Sequence, residues 1–173
     1  MYLELPAHKT VVCLNHFMNL QIGQPAPDFT LYNTDKQPVT LSSYKGKNVL
    51  LLFFPLAFTS VCTAELCSVS DNLKMCESLE AVPLGISVDS LYTLKKFKEE
   101  QNLNFDLLSD FNKEVSQAFG SLYEQFGFGM QGVSKRSAFI IDKSGLVQYA
   151  EVLENAGEQP NFNAIQEKLA QLT

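Results

Sequence analysis

Cys62 closes the run Pro55-Leu56-Ala57-Phe58-Thr59-Ser60-Val61-Cys62, just downstream of an apolar segment over residues 49–54. That segment predicts a buried strand, and the residues after the cysteine predict a helix. A cysteine at a strand-to-helix junction lies against free backbone N–H groups and the positive end of the helix dipole. Both favour the thiolate, which is the nucleophilic form, so Cys62 is a candidate for thiol chemistry. Thr59, three residues earlier, carries a hydroxyl on the turn into the helix; its plain alternative is an N-cap. Pro55 suits a strand end because it has no N–H to satisfy there, and it fixes the backbone of the turn.

Arg136 is the only arginine in a chain with 13 basic residues. A planar, permanently charged guanidinium holds an oxyanion or a thiolate in a way lysine does less well. Glu65 follows Cys62 by three residues and lies near the same helix face, where it could also simply complement the helix dipole. Cys67 follows Cys62 by five residues and lies off the apolar stripe of its helix; it reads either as a second reactive thiol or as a small filler. Cys76 continues that stripe and reads as core. Cys13, His16 and His8 form at most a lone C-x-x-H with no second half, so no metal site is expected. No histidine is placed near Cys62, which argues against a cysteine–histidine hydrolase.

The elements that must position these residues follow from the pattern. Short strands are expected over 29–32 and 39–41 around the turn Asn33-Thr34-Asp35-Lys36. The apolar run 49–54 reads as a strand buried on both faces. A helix is expected over 63–79, with Cys62, Leu66, Val69, Leu73 and Cys76 as one stripe. A strand over 83–88 with Leu84, Ile86 and Val88 alternating precedes a helix to 101, capped by Asp89 or Ser90. A strand over 105–108, a helix over 112–119 stopped by Gly120, and a glycine-rich loop over 127–132 follow. Residues 137–141 and 146–152 predict an antiparallel hairpin around Asp142-Lys143-Ser144-Gly145. A last helix starts near Pro160-Asn161 and buries Phe162, Ile165, Leu169 and Leu172. The order predicts an α/β fold in three layers.

The chain has 173 residues, 46% of them apolar and 18% charged, which fits one globular domain with a sizeable core. A net charge of −6 argues against nucleic acid or an anionic membrane as partner. No apolar run is long enough to span a bilayer. Residues 1–19 lack a signal-peptide layout and read as a leader of uncertain role before a domain over 20–173. Four cysteines without a secretory signal point to a reducing, cytoplasmic setting.

The Pro55, Thr59 and Cys62 pattern resembles the peroxiredoxin family, the cysteine-based peroxidases. Gly23-Gln24-Pro25-Ala26-Pro27-Asp28-Phe29 resembles the family's opening segment. Arg136 before Ser137-Ala138-Phe139-Ile140-Ile141-Asp142 resembles its arginine-bearing strand. The likeness runs from about Leu20 to the C-terminus. It implies a thioredoxin-like fold with a central mixed β-sheet flanked by helices. It also implies that Cys62, Thr59, Pro55 and Arg136 form the active site, with Glu65 orienting the arginine. The expected activity is reduction of hydrogen peroxide or an alkyl hydroperoxide through a cysteine sulfenic acid, with no cofactor. The C-x4-C spacing of Cys62 and Cys67 resembles the bacterioferritin comigratory protein branch, whose second cysteine resolves the first. Phe53-Phe54-Pro55-Leu56-Ala57-Phe58-Thr59 resembles the alkyl hydroperoxide reductase E branch, whose members often lack that partner. The reductant is expected to be a thioredoxin-like protein or a low-molecular-weight thiol, and a homodimer stands open as the assembly.

On an intact helix, positions i and i+5 lie about 8–9 Å apart. A disulfide needs its Cα atoms within about 7 Å, so a Cys62–Cys67 bond requires the first helical turns to unwind. Two rivals remain: a thioredoxin-like disulfide oxidoreductase, which works with C-x-x-C, and a redox sensor or chaperone that uses oxidation as a switch.

Overall fold

The computed structural model describes residues 20–71, 76 and 78–173. Cys13, His8, His16 and Leu73, singled out above, lie outside them.

Among the described residues there are nine strands and four α-helices. They are β1 (Thr30–Asn33), β2 (Pro38–Thr40), β3 (Asn48–Phe53), α1 (Ser60–Asp71), β4 (Ala81–Ser87), α2 (Leu91–Glu100) and β5 (Asp106–Ser109). There follow α3 (Glu114–Ala118), β6 (Leu122–Tyr123), β7 (Val133–Ser134), β8 (Ser137–Ile141), β9 (Val147–Val152) and α4 (Phe162–Ala170). Seven strands make one mixed sheet in the order β2-β1-β5-β4-β3-β8-β9, and β6 and β7 pair separately. At its centre β3 runs parallel to β4 and antiparallel to β8.

Every residue of β3 is buried because both faces of the sheet are covered. One face carries Leu50, Leu52 and Phe54 against Leu66 and Val69 of α1, Leu94 and Phe97 of α2, and Ile165 and Leu169 of α4. The other carries Val49, Leu51 and Phe53 against Val115 of α3, Phe119 and Phe139. The result is the three-layer thioredoxin-like arrangement.

Several boundaries differ from the pattern for local reasons. The helix expected from residue 63 begins at Ser60, which puts Cys62 inside its first turn. Leu84 and Ile86 alternate onto one face of β4 as expected, but Gly85 and Ser87 are buried as well because β4 is central, and Val88 lies past the strand's end. Pro83 is tolerated there because the β5 ladder starts only at Leu84. The helix expected from residue 112 begins at Glu114, where Asp110 receives the backbone N–H groups of Val115 and Ser116. The short β6–β7 pair carries too few residues for a periodic signal.

Candidate active site

The chain leaves β3 at Phe53, and Phe54 makes a last backbone bond to Ile86. Pro55 follows, buried. The next peptide is held at both ends: Ala57 N–H donates to Asp89 Oδ2 at 2.8 Å, and the Leu56 carbonyl accepts from Thr59 Oγ1 at 3.0 Å. Phe58 has φ +63°, a left-handed conformation that is strained for a bulky residue. Its ring lies 5.1 Å from that of Phe97, edge to face. The Thr59 carbonyl then accepts from Thr63 N–H and starts α1. Thr59 therefore takes the cap position with its backbone, while its exposed hydroxyl faces back to Leu56 rather than capping the helix.

Arg136 stands directly before β8. The β3–β8 register pairs Phe53 with Ser137, so Arg136 emerges beside the point where the cysteine loop leaves the sheet. Its side chain is 1% exposed, Cys62 is 1% exposed and Glu65 is 0% exposed. Arg136 Nη2 donates to Cys62 Sγ at 3.2 Å. Nη1 forms an ion pair with Glu65 Oε2. Nε and Nη2 both donate to the Ala156 carbonyl, at 3.2 and 2.9 Å. A guanidinium fork thus joins a buried thiol, a buried carboxylate and a backbone carbonyl.

Burial pushes the Glu65 carboxyl up to about 7, against the pull of the Arg136 charge. Glu65 Oε1 is buried without a hydrogen-bond partner. Burial opposes the charge on Arg136, but Glu65 and Cys62 beside it outweigh that and raise its value overall. The positive charge at Cys62 is therefore permanent, whereas the carboxylate that shares it titrates.

The structure brings Cys62, Glu65 and Arg136 into direct contact, with Thr59 three residues upstream of the cysteine. Cys67 is not in that cluster. It lies half-buried on α1, its thiol 4.0 Å from Gln101 Oε1, and burial followed by the nearby Asp71 charge raises its pKa. Since α1 is helical from Ser60 to Asp71, Cys62 and Cys67 stand as separate free thiols. Cys76 is buried in the core. Sequence reasoning missed the Ala156 carbonyl, which as a backbone group leaves no residue-type signal. It also treated Asp89 only as a possible cap for α2. Ser90 is that cap, accepting from Thr93 N–H, and Asp89 reaches the cysteine loop instead. Among the described residues no three His, Cys, Asp or Glu side chains gather as metal ligands, and no helix is long and apolar enough to cross a membrane.

A model of the AhpC/TSA family matches residues 22–150. Alkyl hydroperoxide reductase E of Mycobacterium tuberculosis is 41% identical over 157 residues, which are 89% of this chain and 99% of that protein. Peroxiredoxin Bcp of Bacillus subtilis is 42% identical over 130 residues, 74% of this chain and 82% of its own length. Among solved structures, peroxidoxin BcpB from Mycobacterium tuberculosis superimposes with a TM-score of 0.78 at 28% identity, covering 89% of this chain and 99% of the other.

Proposed function

The chain belongs to the AhpC/TSA family of peroxiredoxins, thiol-dependent peroxidases, and from that premise we propose how its own residues carry the reaction. The Cys62 thiolate attacks one oxygen of hydrogen peroxide or an alkyl hydroperoxide. An S–O bond forms, the O–O bond breaks, and the leaving oxygen takes a proton and departs as water or alcohol. Cys62 is oxidised to the sulfenic acid and the peroxide is reduced.

The observation that carries this reading is the 3.2 Å contact from Arg136 Nη2 to Cys62 Sγ in a buried setting. A fixed positive donor there favours the thiolate and can follow negative charge onto the leaving oxygen. Glu65 orients Arg136 from the far side of the fork. Pro55 shields the thiolate and shapes the turn. Thr59 holds the substrate, and its direction is set: its one hydroxyl hydrogen goes to the Leu56 carbonyl, so it meets the peroxide as an acceptor.

For regeneration, Cys67 attacks the sulfenic acid. An S–S bond forms and water leaves, and a thioredoxin-like protein or a small thiol then reduces the disulfide. This step requires α1 to unwind locally. If Cys67 instead only packs against its neighbours, an external thiol attacks Cys62 sulfenic acid directly. The half-buried position of Cys67 favours the first route, since a short unwinding frees it.

Intact-mass measurement and peptide mapping after one equivalent of hydrogen peroxide test the proposal. A Cys62–Cys67 link supports both steps. A lasting added oxygen on Cys62 alone keeps the peroxidase step and removes the internal resolution. An unmodified Cys62 overturns the reading.

A further inference from the structure

Asp89 lies just past β4 and next to the cap of α2, yet its carboxylate is not used by that helix. Oδ2 accepts from Ser87 Oγ at 2.7 Å and from Ala57 N–H at 2.8 Å. The Asp89 N–H donates to Ser87 Oγ at 3.1 Å, and its carbonyl accepts from Ser109 Oγ at 2.6 Å. Ser87 belongs to β4 and Ser109 to β5, both inside the central sheet. Asp89 is thus fastened to two neighbouring strands and reaches from them to the cysteine loop.

The bond it makes there has a consequence through peptide geometry. The N–H of Ala57 and the C=O of Leu56 belong to one planar trans peptide and point in opposite directions. Asp89 holds the N–H end, and the C=O end receives the Thr59 hydroxyl. The next residue, Phe58, is held at φ +63°. Such a conformation is strained for a residue with a side chain and persists only where surrounding contacts enforce it. Without the Asp89 bond, the Leu56–Ala57 peptide is free to rotate and Phe58 to relax to negative φ, and either motion displaces Thr59.

Resting on the peroxidase reading above, we infer that Asp89 is a positioning residue for peroxide reduction: through the Leu56–Ala57 peptide it sets the orientation of the Thr59 hydroxyl. It touches neither the thiol nor the substrate. Its contribution is geometric, so an uncharged acceptor of the same shape replaces it.

The test compares two probes of Cys62 in the reduced full-length chain. Hydrogen peroxide uses Thr59, whereas iodoacetamide alkylates the buried Cys62 sulfur without calling on that hydroxyl. Asp89→Ala is expected to slow oxidation of Cys62 by about tenfold to a hundredfold while alkylation stays within about twofold. Asp89→Asn keeps an oxygen for Ala57 N–H and is expected to recover most of the peroxide rate. Thr59→Val combined with Asp89→Ala is expected to be no slower than Thr59→Val alone, because both remove one relay. The inference is overturned if Asp89→Ala oxidises at the wild-type rate, if both probes slow in step, or if Asp89→Asn is as slow as Asp89→Ala. Should Asp89→Ala fail to fold, Ser87→Ala leaves the carboxylate in place and removes the hydroxyl that donates to it and accepts the Asp89 N–H. It must then show the same selective loss at smaller size, and an unchanged ratio of the two rates overturns the inference. A wild-type chain that does not consume peroxide at all strikes the parent reading and not this relay.

Discussion

Arg136 Nη2 donates to Cys62 Sγ at 3.2 Å although the two residues are 74 positions apart in the chain. The antiparallel register of β3 and β8 makes the contact, since it sets Ser137 opposite Phe53 and so brings Arg136 to the end of the strand that feeds the cysteine loop. Removing a preorganised donor of this kind from a reacting centre costs about a hundredfold to a thousandfold in rate. Arg136→Met is therefore expected to slow oxidation of Cys62 by that amount in a stopped-flow measurement. Arg136→Lys is expected to fall between, because an ammonium keeps the charge but cannot reach Cys62, Glu65 and Ala156 together. A loss below about threefold in Arg136→Met would remove the arginine from the mechanism.

Oxidation is expected to unwind the start of α1. The reduced chain is helical through Ser60–Asp71, and a five-residue spacing on that helix exceeds disulfide reach. Hydrogen exchange should show the amides of this helix losing protection after one equivalent of peroxide, with the central strands unchanged. Cys67→Ser should keep its protection and retain an added oxygen on Cys62. An oxidised wild-type chain carrying the disulfide with α1 fully protected would contradict this.

Glu65 makes stability depend on pH. Its folded value of about 7 lies above the ordinary 4.5 because burial disfavours the carboxylate. Between those values the unfolded chain has released the proton and the folded chain still holds it. Stability from this group is therefore full below about 4.5, falls as pH rises toward about 7, and is level above that. The total is at most about 3 kcal/mol. Denaturant midpoints of wild type and Glu65→Gln should show the wild type losing ground to the variant as pH rises from about 4.5 to about 7. A difference that does not move across this range would mean that Glu65 is already ionised when folded at acid pH.

Gly85 is required by close packing and not by backbone conformation. A Cβ built there would lie 2.6 Å from Leu107 Cδ2 and 3.5 Å from atoms of Phe105 and Phe54. Leu107 is fully buried, so its side chain has to shift within the core to admit that atom. Gly85→Ala is expected to lower stability by about 1–3 kcal/mol, read as a fall in Tm, with the peroxide rate of the folded fraction unchanged. An unchanged Tm would show that the core at Leu107 can give.

The elements that sequence reading located correctly are those with a local cause. The unbroken apolar run at β3, the turn between β8 and β9, and the stripe of Ile165 and Leu169 on α4 each arise from a period within one segment. The departures fall where contacts outside the periodic pattern decide. The strand at β4 shows no polar, exposed alternate positions at Gly85 and Ser87 because β3 and β5 flank it on both sides. The start of α3 moved because Asp110, several residues upstream, takes its first N–H groups.

The same division runs through the candidate site. That the helix starts at Ser60 and takes Cys62 into its first turn is seen only in the structure. The sequence by itself determined that Cys62 stands at the junction between a buried strand and a helix, with Pro55 and Thr59 on the connecting turn. Those placements depend on residues within one or two turns of each other, and short-range backbone preferences are enough to specify them. The family resemblance implied that Arg136 and Glu65 join Cys62, but only the tertiary structure shows the arginine's contacts with the thiol and the carboxylate and adds the Ala156 carbonyl to them. It alone showed that Asp89 holds the loop from 32 residues away and that Cys67 faces Gln101. Those contacts depend on strand order and register, which are settled when both faces of the sheet are buried at once, and no local pattern records that outcome.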